Sequence, residues 1–154
     1  MMKRLFINTI IVLLIIPVIL VIIWFSQRPL YIKDTPYDPN RIVEFGEEII
    51  NSPFKWTVNK ATIKKQDSLY KYISVNISVL NFDKDPLHVD ANSFVLRDSG
   101  KREYTPVSIN KLIQSLSHNE NVTENIDFKV PNKAKELKLL VKLWGPWTVD
   151  LILE

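Results

Sequence analysis

Residues 72–80 read YISVNISVL, and their apolar side chains recur at every second position. In a β-strand, this period of two places alternate residues on opposite faces. The apolar set is Ile73, Val75, Ile77 and Val79. A strand with one apolar and one polar face is typical of an antiparallel sheet that covers a core on one side only. The segment therefore predicts an all-β domain.

The same alternation recurs at four other places, with turn-forming residues between them. The segments are 54–58, 126–130, 137–143 and 147–153. One segment differs, because Ile109, Leu112, Ile113 and Leu116 recur at helical spacing. We therefore expect an antiparallel β-sandwich of about 7 to 8 strands with one short helix in a crossover between the sheets.

The N-terminal region carries a second strong pattern, because only Asn8, Thr9 and Pro17 are not apolar in residues 5–25. A helix of this length spans about 31 Å at about 1.5 Å per residue, which matches the hydrocarbon core of a bilayer. A cleaved signal peptide would be shorter and would end at small residues, but the first alanine of the chain is Ala61. Lipid attachment would require a cysteine, and the chain has none. We expect an uncleaved transmembrane anchor.

Charge on either side of the anchor predicts its orientation. Lys3 and Arg4 precede it directly, which favours a cytoplasmic N-terminus and an extracytoplasmic C-terminal domain in a single-pass protein of the cell membrane. Three prolines among scattered charges then predict an extended spacer. The predicted organisation is a cytoplasmic stub (1–4), the anchor (5–25), an extended tether (26–42) and the sandwich (43–154).

Composition excludes several classes of function. The net charge of +3 becomes +1 when Lys3 and Arg4 are set aside, so the outer part lacks the basic surface that nucleic acid requires. His88 and His118 are the only histidines, and without cysteine they form no recognised zinc spacing. Three glycines cannot build a phosphate-binding loop, and no nucleophile motif is present. We expect neither an enzyme nor a cofactor.

Two charged stretches invite a functional interpretation. Asp83, Asp85 and Asp90 suggest calcium, but His88 stands where an EF-hand needs glycine and Phe94 where it needs glutamate, so solvated turn carboxylates fit better. A lysine-rich stretch could instead meet anionic wall polymers or lipid headgroups, or simply guard exposed strands against aggregation. Its members are Lys129, Lys133, Lys135, Lys138 and Lys142.

Strand parity suggests a protein-docking patch. If residues 137, 139, 141 and 143 face the core, then Leu140, Trp144 and Ile152 point outward and could form an exposed apolar surface. Two alternatives remain open at this point: residues 31–50 fold back over these side chains, or the turn at 145–146 shifts the register.

The order of the strand and turn motifs resembles the bacterial domain-of-unknown-function family 4352. The resemblance rests on Gly46-Glu47, residues 54–58, residues 72–81, Pro86-Leu87, residues 94–101 and Phe128-Lys129-Val130-Pro131, and it covers roughly residues 43–153. It implies an immunoglobulin-like sandwich, similar in shape to a mycobacterial secreted antigen and displayed outside the membrane on a lipid or helical anchor. It implies no site residues.

Two positions within these motifs have physical roles of their own. Asn81 stands where a strand closes in an Asx-type turn, and Gly100 stands where a hairpin needs a positive φ. His118-Asn119-Glu120 replaces the Pro-Gly type of turn that is usual in the family.

These observations favour a membrane-anchored extracytoplasmic domain that works by binding or assembly. Its expected partners are the bilayer, through residues 5–25, and an envelope protein or wall polymer. The alternative is a metal- or small-ligand-binding subunit of an envelope enzyme or transporter.

Overall fold

A computed structural model gives the fold of the chain. It describes Pro17 and residues 33–109, 115–143, 145–151 and 153. The chain divides into two compact units, residues 1–32 and residues 33–154. Among the described residues, none belongs to a helix long and apolar enough to cross a membrane. The predicted anchor, residues 5–25, lies outside the described residues except for Pro17.

The described part of residues 33–154 is built from β-strands and one short 3-10 helix, Ala91–Ser93. The strands are β1 (Ile42–Val43), β2 (Glu48–Asn51), β3 (Phe54–Gln66), β4 (Tyr70–Asn81), β5 (Leu87–His88), β6 (Phe94–Arg97), β7 (Glu103–Tyr104), β8 (Pro106–Ile109), β9 (Ser115–Leu116), β10 (Asn121–Pro131), β11 (Lys138–Val141) and β12 (Trp147–Asp150). Four of them, β1, β5, β7 and β9, have only two residues. The prediction of about 7 to 8 strands accounts for the longer ones.

Two five-stranded sheets form a β-sandwich. Sheet I has the order β2-β3-β4-β10-β8, and sheet II has the order β1-β12-β11-β6-β7. β5 and β9 pair separately. Among the strand pairs of the described residues, β1 with β12 is the one parallel pair, which corrects the prediction of a purely antiparallel sandwich. The two strands therefore start at the same end of the sandwich.

The core lies between the two sheets and uses the predicted alternation. The four apolar residues of 73–79 are fully buried. Most matching positions of the other predicted strands are buried too: Phe54, Trp56, Val58, Ile126, Phe128, Val130, Leu137, Leu139, Val141, Leu143, Trp147 and Val149. Leu151 and Leu153 lie beyond the end of β12 and are only partly buried. Across the core, the rings of Trp56 and Trp147 meet at a centroid distance of 6.2 Å and an angle of 69°. This contact joins sheet I to sheet II.

Two residues in the described part of the predicted extended tether, residues 26–42, contact the sandwich. Asp34 Oδ1 accepts hydrogen bonds from the hydroxyl and the N–H of Ser52, at 2.6 and 2.9 Å, and these bonds lower the pKa of Asp34. Tyr37 meets the Trp147 ring edge-on at 5.3 Å. Proline content does not show what such a segment lies against.

Two local predictions also change. Gly100 does not carry the positive φ of the β6–β7 turn, because Lys101 does, at φ 63°. The Lys101 N–H donates to the Asp98 carbonyl at 2.9 Å, which leaves a three-residue loop whose last member adopts the left-handed conformation. The first and last residues of the expected crossover helix are not helical, because Ile109 is the last residue of β8 and Leu116 lies in β9. Its middle, residues 110–114, lies outside the described residues.

Asn81 closes β4 and holds two loops with a fully buried side chain. Its Oδ1 accepts the Asp83 N–H at 2.7 Å, which is the predicted Asx turn. Its Nδ2 donates to the carbonyl oxygens of Asp85, at 3.0 Å, and Leu116, at 2.8 Å. One amide therefore connects the loop after β4 to β9.

Candidate functional site

The outer face of sheet I carries a row of neutral polar side chains that bond to one another. Because Ile77 and its apolar neighbours face the core, the residues between them point outward. Register places Asn76 opposite Asn125, and Ser78 opposite Thr123, on β4 and β10. Asn59 joins them from β3, where a β-bulge interrupts the pairing after Val58. We call Asn59, Asn76, Ser78, Thr123 and Asn125 the polar ladder.

Hydrogen bonds within the polar ladder run across three strands. Asn59 Nδ2 donates to Asn76 Oδ1 at 2.8 Å and to Ser78 Oγ at 3.0 Å. Asn76 Nδ2 donates to Asn125 Oδ1 at 2.9 Å, and the hydroxyls of Ser78 and Thr123 lie 2.8 Å apart. The three amides are therefore aligned, with an acceptor, Asn59 Oδ1, at one end and a donor, Asn125 Nδ2, at the other.

A groove borders the polar ladder at the β2 edge. Its volume is about 260 Å³, and its lining includes Lys55, Thr57, Asn59 and Ser78. Lys55 Nζ lies 2.9 Å from Glu48 Oε1, so one wall of the groove is an exposed ion pair. Polar side chains with open hydrogen-bonding capacity therefore line a concave surface.

Tyrosines and lysines follow the polar ladder along the same two strands. Tyr72 pairs with Lys129, and Lys129 Nζ lies 4.1 Å from the ring centre of Tyr70 and 5.8 Å from that of Tyr72. From β3, Lys65 Nζ lies 5.8 Å from the Tyr72 ring centre. We call Lys65, Tyr70, Tyr72 and Lys129 the tyrosine end. Its ammonium groups lie over aromatic rings, an arrangement that stabilises both.

The turn between β3 and β4 holds the tyrosine end in place. Asp67 Oδ1 accepts the N–H groups of Tyr70, at 2.7 Å, and Leu69, at 2.9 Å, and these bonds lower the pKa of Asp67. Asn132 donates its backbone N–H to the Leu69 carbonyl and its Nδ2 to the Asp67 carbonyl. The turn is therefore fixed to the end of β10, although the Leu69 side chain is 67% exposed.

An ion pair connects β3 to β10 between the two groups. Lys64 Nζ lies 2.9 and 3.0 Å from the two carboxylate oxygens of Asp127, and β4 runs between their strands. Ser74 of β4 pairs with Asp127 and is buried, and its hydroxyl has no hydrogen-bond partner among the described residues. The polar ladder, this ion pair and the tyrosine end form one continuous surface.

The chemistry of this surface is suited to binding. Amides and hydroxyls exchange hydrogen bonds but are too weak as acids and bases to move protons near neutral pH. Both histidines lie elsewhere: His118 Nδ1 is 2.7 Å from the Asp83 carbonyl oxygen, and His88 is exposed in β5. Within the ranges that the structure describes, no three His, Cys, Asp or Glu side chains come together as a metal site.

The predicted docking patch is not brought together in the described residues. Leu140 is on the outer face of sheet II, as parity predicted, but it is only 5% exposed, and its register neighbour Val95 is 3% exposed. Its expected exposure is therefore wrong. Trp144 and Ile152 lie outside the described residues. The patch as a whole stays a prediction.

The lysine-rich stretch does not form one surface either. Lys129 lies on sheet I, whereas Lys138 lies on sheet II and pairs with Asp150 at 3.1 Å. Lys133 and Lys135 are in the loop between the two sheets.

Sequence reasoning predicted the strands of this site but did not identify the site itself. The polar set Ser74, Asn76 and Ser78 was visible as the other face of the predicted strand, and Thr123 and Asn125 repeat its period of two. The two sets become neighbours through the register of β4 with β10, and alternation alone does not predict that register.

Solved structures of low sequence identity share this fold. The yjhA protein from Bacillus subtilis is 17% identical with a TM-score of 0.55, over 71% of this chain and 98% of that one. An uncharacterised β-sandwich protein from Clostridium difficile is 14% identical with a TM-score of 0.53, over 77% and 100%. MPT63, a secreted protein from Mycobacterium tuberculosis, is 10% identical with a TM-score of 0.54, over 72% and 98%. At such identities the likeness concerns the fold alone.

No curated protein matches the sequence. Residues 43–147 match the family described as Domain of unknown function (DUF4352). This range covers most of the sandwich and includes both the polar ladder and the tyrosine end. The chain belongs to the DUF4352 family, as its strand and turn motifs predicted.

Proposed function

We propose that this chain is a membrane-anchored, extracytoplasmic binding domain that contacts its partner through the polar ladder. The observation that carries the proposal is the set of mutual hydrogen bonds that fixes five neutral side chains on an open sheet face. Ordering a free side chain on binding costs about 0.5–1.5 kcal/mol, and side chains that are already fixed avoid much of this cost. We also propose that the sandwich is of the immunoglobulin-like type.

The location rests on the sequence. Residues 5–25 have the length and composition of a membrane span, and Lys3 and Arg4 favour a cytoplasmic N-terminus. MPT63, which shares the fold, is described as secreted. The absence of cysteine agrees with a domain that needs no disulfide outside the membrane.

The contacts made by the described part of the N-terminal segment lie away from the polar ladder. Asp34 contacts Ser52, and Tyr37 contacts Trp147, and neither contact involves the outer face of sheet I near Asn76. A partner could therefore approach the ladder while the chain remains attached through its N-terminal part.

Single cysteines in this cysteine-free chain test the proposal in intact cells. Ser99→Cys places a reporter in an exposed turn, and Asn125→Cys places one on the polar ladder. With a membrane-impermeant maleimide, we expect Ser99→Cys to react in intact cells at the rate seen with the purified full-length protein. Asn125→Cys should react several-fold more slowly in cells than after purification, because the partner covers it. Asn121→Cys is a second reporter beside the ladder on the same face, and it leaves all five ladder side chains in place.

Two results would contradict this reading. If Ser99→Cys reacts only after lysis, the domain is on the cytoplasmic side. If both reporters on the ladder face keep their purified rates in intact cells, the ladder is not occupied and the binding role is wrong.

A further inference from the structure

We infer that the polar ladder and the tyrosine end together bind one linear anionic polysaccharide, a chain that carries hydroxyl groups and carboxylate or phosphate groups. This inference rests on the proposed function and names the class of its ligand.

The first argument is the continuity of the surface. β4 and β10 pair without a bulge over eleven residue pairs, from Tyr70–Pro131 to Leu80–Asn121. At about 3.4 Å per residue, the outward positions extend for about 34 Å. A long, shallow strip that continues in one direction suits an extended polymer better than a compact ligand, which would need an enclosed pocket.

The second argument is charge. The whole chain has 20 basic and 17 acidic residues, and Lys3, Arg4 and Arg28 are its only charged residues before Lys33, so residues 33–154 carry 17 of each sign. On the outer face of sheet I the balance is positive. Outward register gives five lysines against two carboxylates, Lys55, Lys60, Lys64, Lys65 and Lys129 against Glu48 and Asp127. The carboxylate of Asp67, in the turn beside Lys65 and Lys129, is a third acid, so the balance stays positive. A neutral domain thus concentrates positive charge on the face that carries the ladder, and an anionic ligand is complementary to it.

The outer face of sheet II provides the comparison. Lys138 pairs with Asp150 at 3.1 Å. Lys142 lies 3.6 Å from one carboxylate oxygen of Glu103, and Arg97 pairs with the other oxygen of the same carboxylate. The basic groups there are matched by acidic partners. On sheet I, Lys60 and Lys65 are exposed and form no ion pair among the described residues.

The third argument is the chemistry of the uncharged groups. Hydroxyl groups of a sugar both donate and accept hydrogen bonds, and the ladder offers both functions, through Asn59 Oδ1, Asn125 Nδ2 and the hydroxyls of Ser78 and Thr123. Tyr70 and Tyr72 are half-buried, and their rings hold the ammonium groups of Lys65 and Lys129 in place for the anionic groups of the ligand. A polymer of phosphates alone would leave the ladder unused, and a neutral glycan would leave the lysines unused.

Three polymers separate these contributions when added to the full-length protein in detergent. Alginate supplies both carboxylates and hydroxyls, dextran supplies hydroxyls without charge, and polyphosphate supplies charge without sugar. We expect alginate to bind most tightly, and its binding to weaken as salt rises from about 50 to about 500 mM, because exposed charges are screened.

Matched variants locate the binding. Asn76→Ala with Asn125→Ala, and separately Lys60→Gln with Lys65→Gln, should each weaken alginate binding about tenfold, which corresponds to about 1.4 kcal/mol. The control pair, Lys84→Gln with Lys135→Gln, removes two exposed lysines outside the strip and should change binding less than about twofold. Each variant should unfold cooperatively, with a urea midpoint within about 0.5 M of the parent's, so that loss of binding is not loss of fold.

Several results would overturn the inference. Dextran binding as tight as alginate would remove the role of charge, and polyphosphate binding as tight as alginate would remove the role of the sugar. If alginate does not bind while Asn125→Cys is protected in cells, only the ligand class is wrong. If Asn125→Cys is also unprotected, the proposed function fails with it.

Discussion

Replacing Asn81 with alanine removes three hydrogen bonds from one fully buried position. The lost partners are the Asp83 N–H and the carbonyl oxygens of Asp85 and Leu116. The two turn groups are near solvent, and each bond there contributes about 1 kcal/mol. Leu116 is 1% exposed, so its carbonyl is left without a partner, at a cost of about 1–3 kcal/mol. The free energy of unfolding should therefore fall by about 4 kcal/mol.

Urea unfolding of the full-length protein, followed by tryptophan fluorescence, measures this loss. With a slope of about 1.5 kcal/mol per molar urea, the midpoint should fall by about 2.5 M. Asn81→Asp keeps the acceptor for the Asp83 N–H but places a carboxylate oxygen against two carbonyls, so it should lose at least as much. Asn59→Ala is the control, because its bonds lie on an exposed face and its loss should stay within about 0.5 kcal/mol.

One outcome would refute the reasoning. If Asn81→Ala costs less than about 1 kcal/mol and is no worse than Asn59→Ala, then the loops after β4 and before β10 are held without the Asn81 amide.

Three further predictions concern the turns and the outer face. Lys101→Gly should raise the free energy of unfolding by about 0.5–1 kcal/mol in urea, because Lys101 has a φ of 63° that glycine adopts without strain; a loss would show that its side chain matters more. The pKa of Asp98 is lowered, mainly by the hydrogen bond from the Arg102 N–H. The ionised Asp98 therefore contributes its full stability above the ordinary pKa of 3.8, and this contribution is lost as the pH falls through the lower pKa of the folded state. Asp98→Asn should therefore show a shallower loss of stability than the parent below about pH 4, and parallel curves would contradict this. Ser74→Ala should leave the urea midpoint unchanged or raise it, because the buried Ser74 hydroxyl has no partner among the described residues. Ser78→Ala breaks two hydrogen bonds and should lower the urea midpoint.

The sequence predicted the core of this fold because burial on one face leaves a mark at every second residue. Ile73 and Phe128 show it plainly, and both are fully buried. It did not show the parallel pairing of β1, because two residues carry no period. The positive φ at Lys101 escaped prediction for a related reason: glycine tolerates that conformation better, but the loop length decides which residue must adopt it.

The candidate site was harder to predict than the fold. Parity assigned Leu140 to an outer face correctly, yet Val95 and Thr148 become its neighbours only through the register of the adjacent strands. The polar ladder depends on register in the same way, since Asn76 and Asn125 are far apart in the chain. Asn59 reaches them through a β-bulge, for which the sequence gives no signal.

The parallel pair of β1 and β12 sets the order in which the domain can be completed. Ile42 pairs with Thr148, so the first strand finds its partner only after 106 further positions have been synthesised. Contacts this distant slow folding, and until then β1 has no place in sheet II. Truncation before Trp147 would leave β11, with its apolar Leu139, Leu140 and Val141, as an open edge that invites aggregation. A chain that stops before Trp147 would therefore aggregate, and would not fold as a slightly shorter domain.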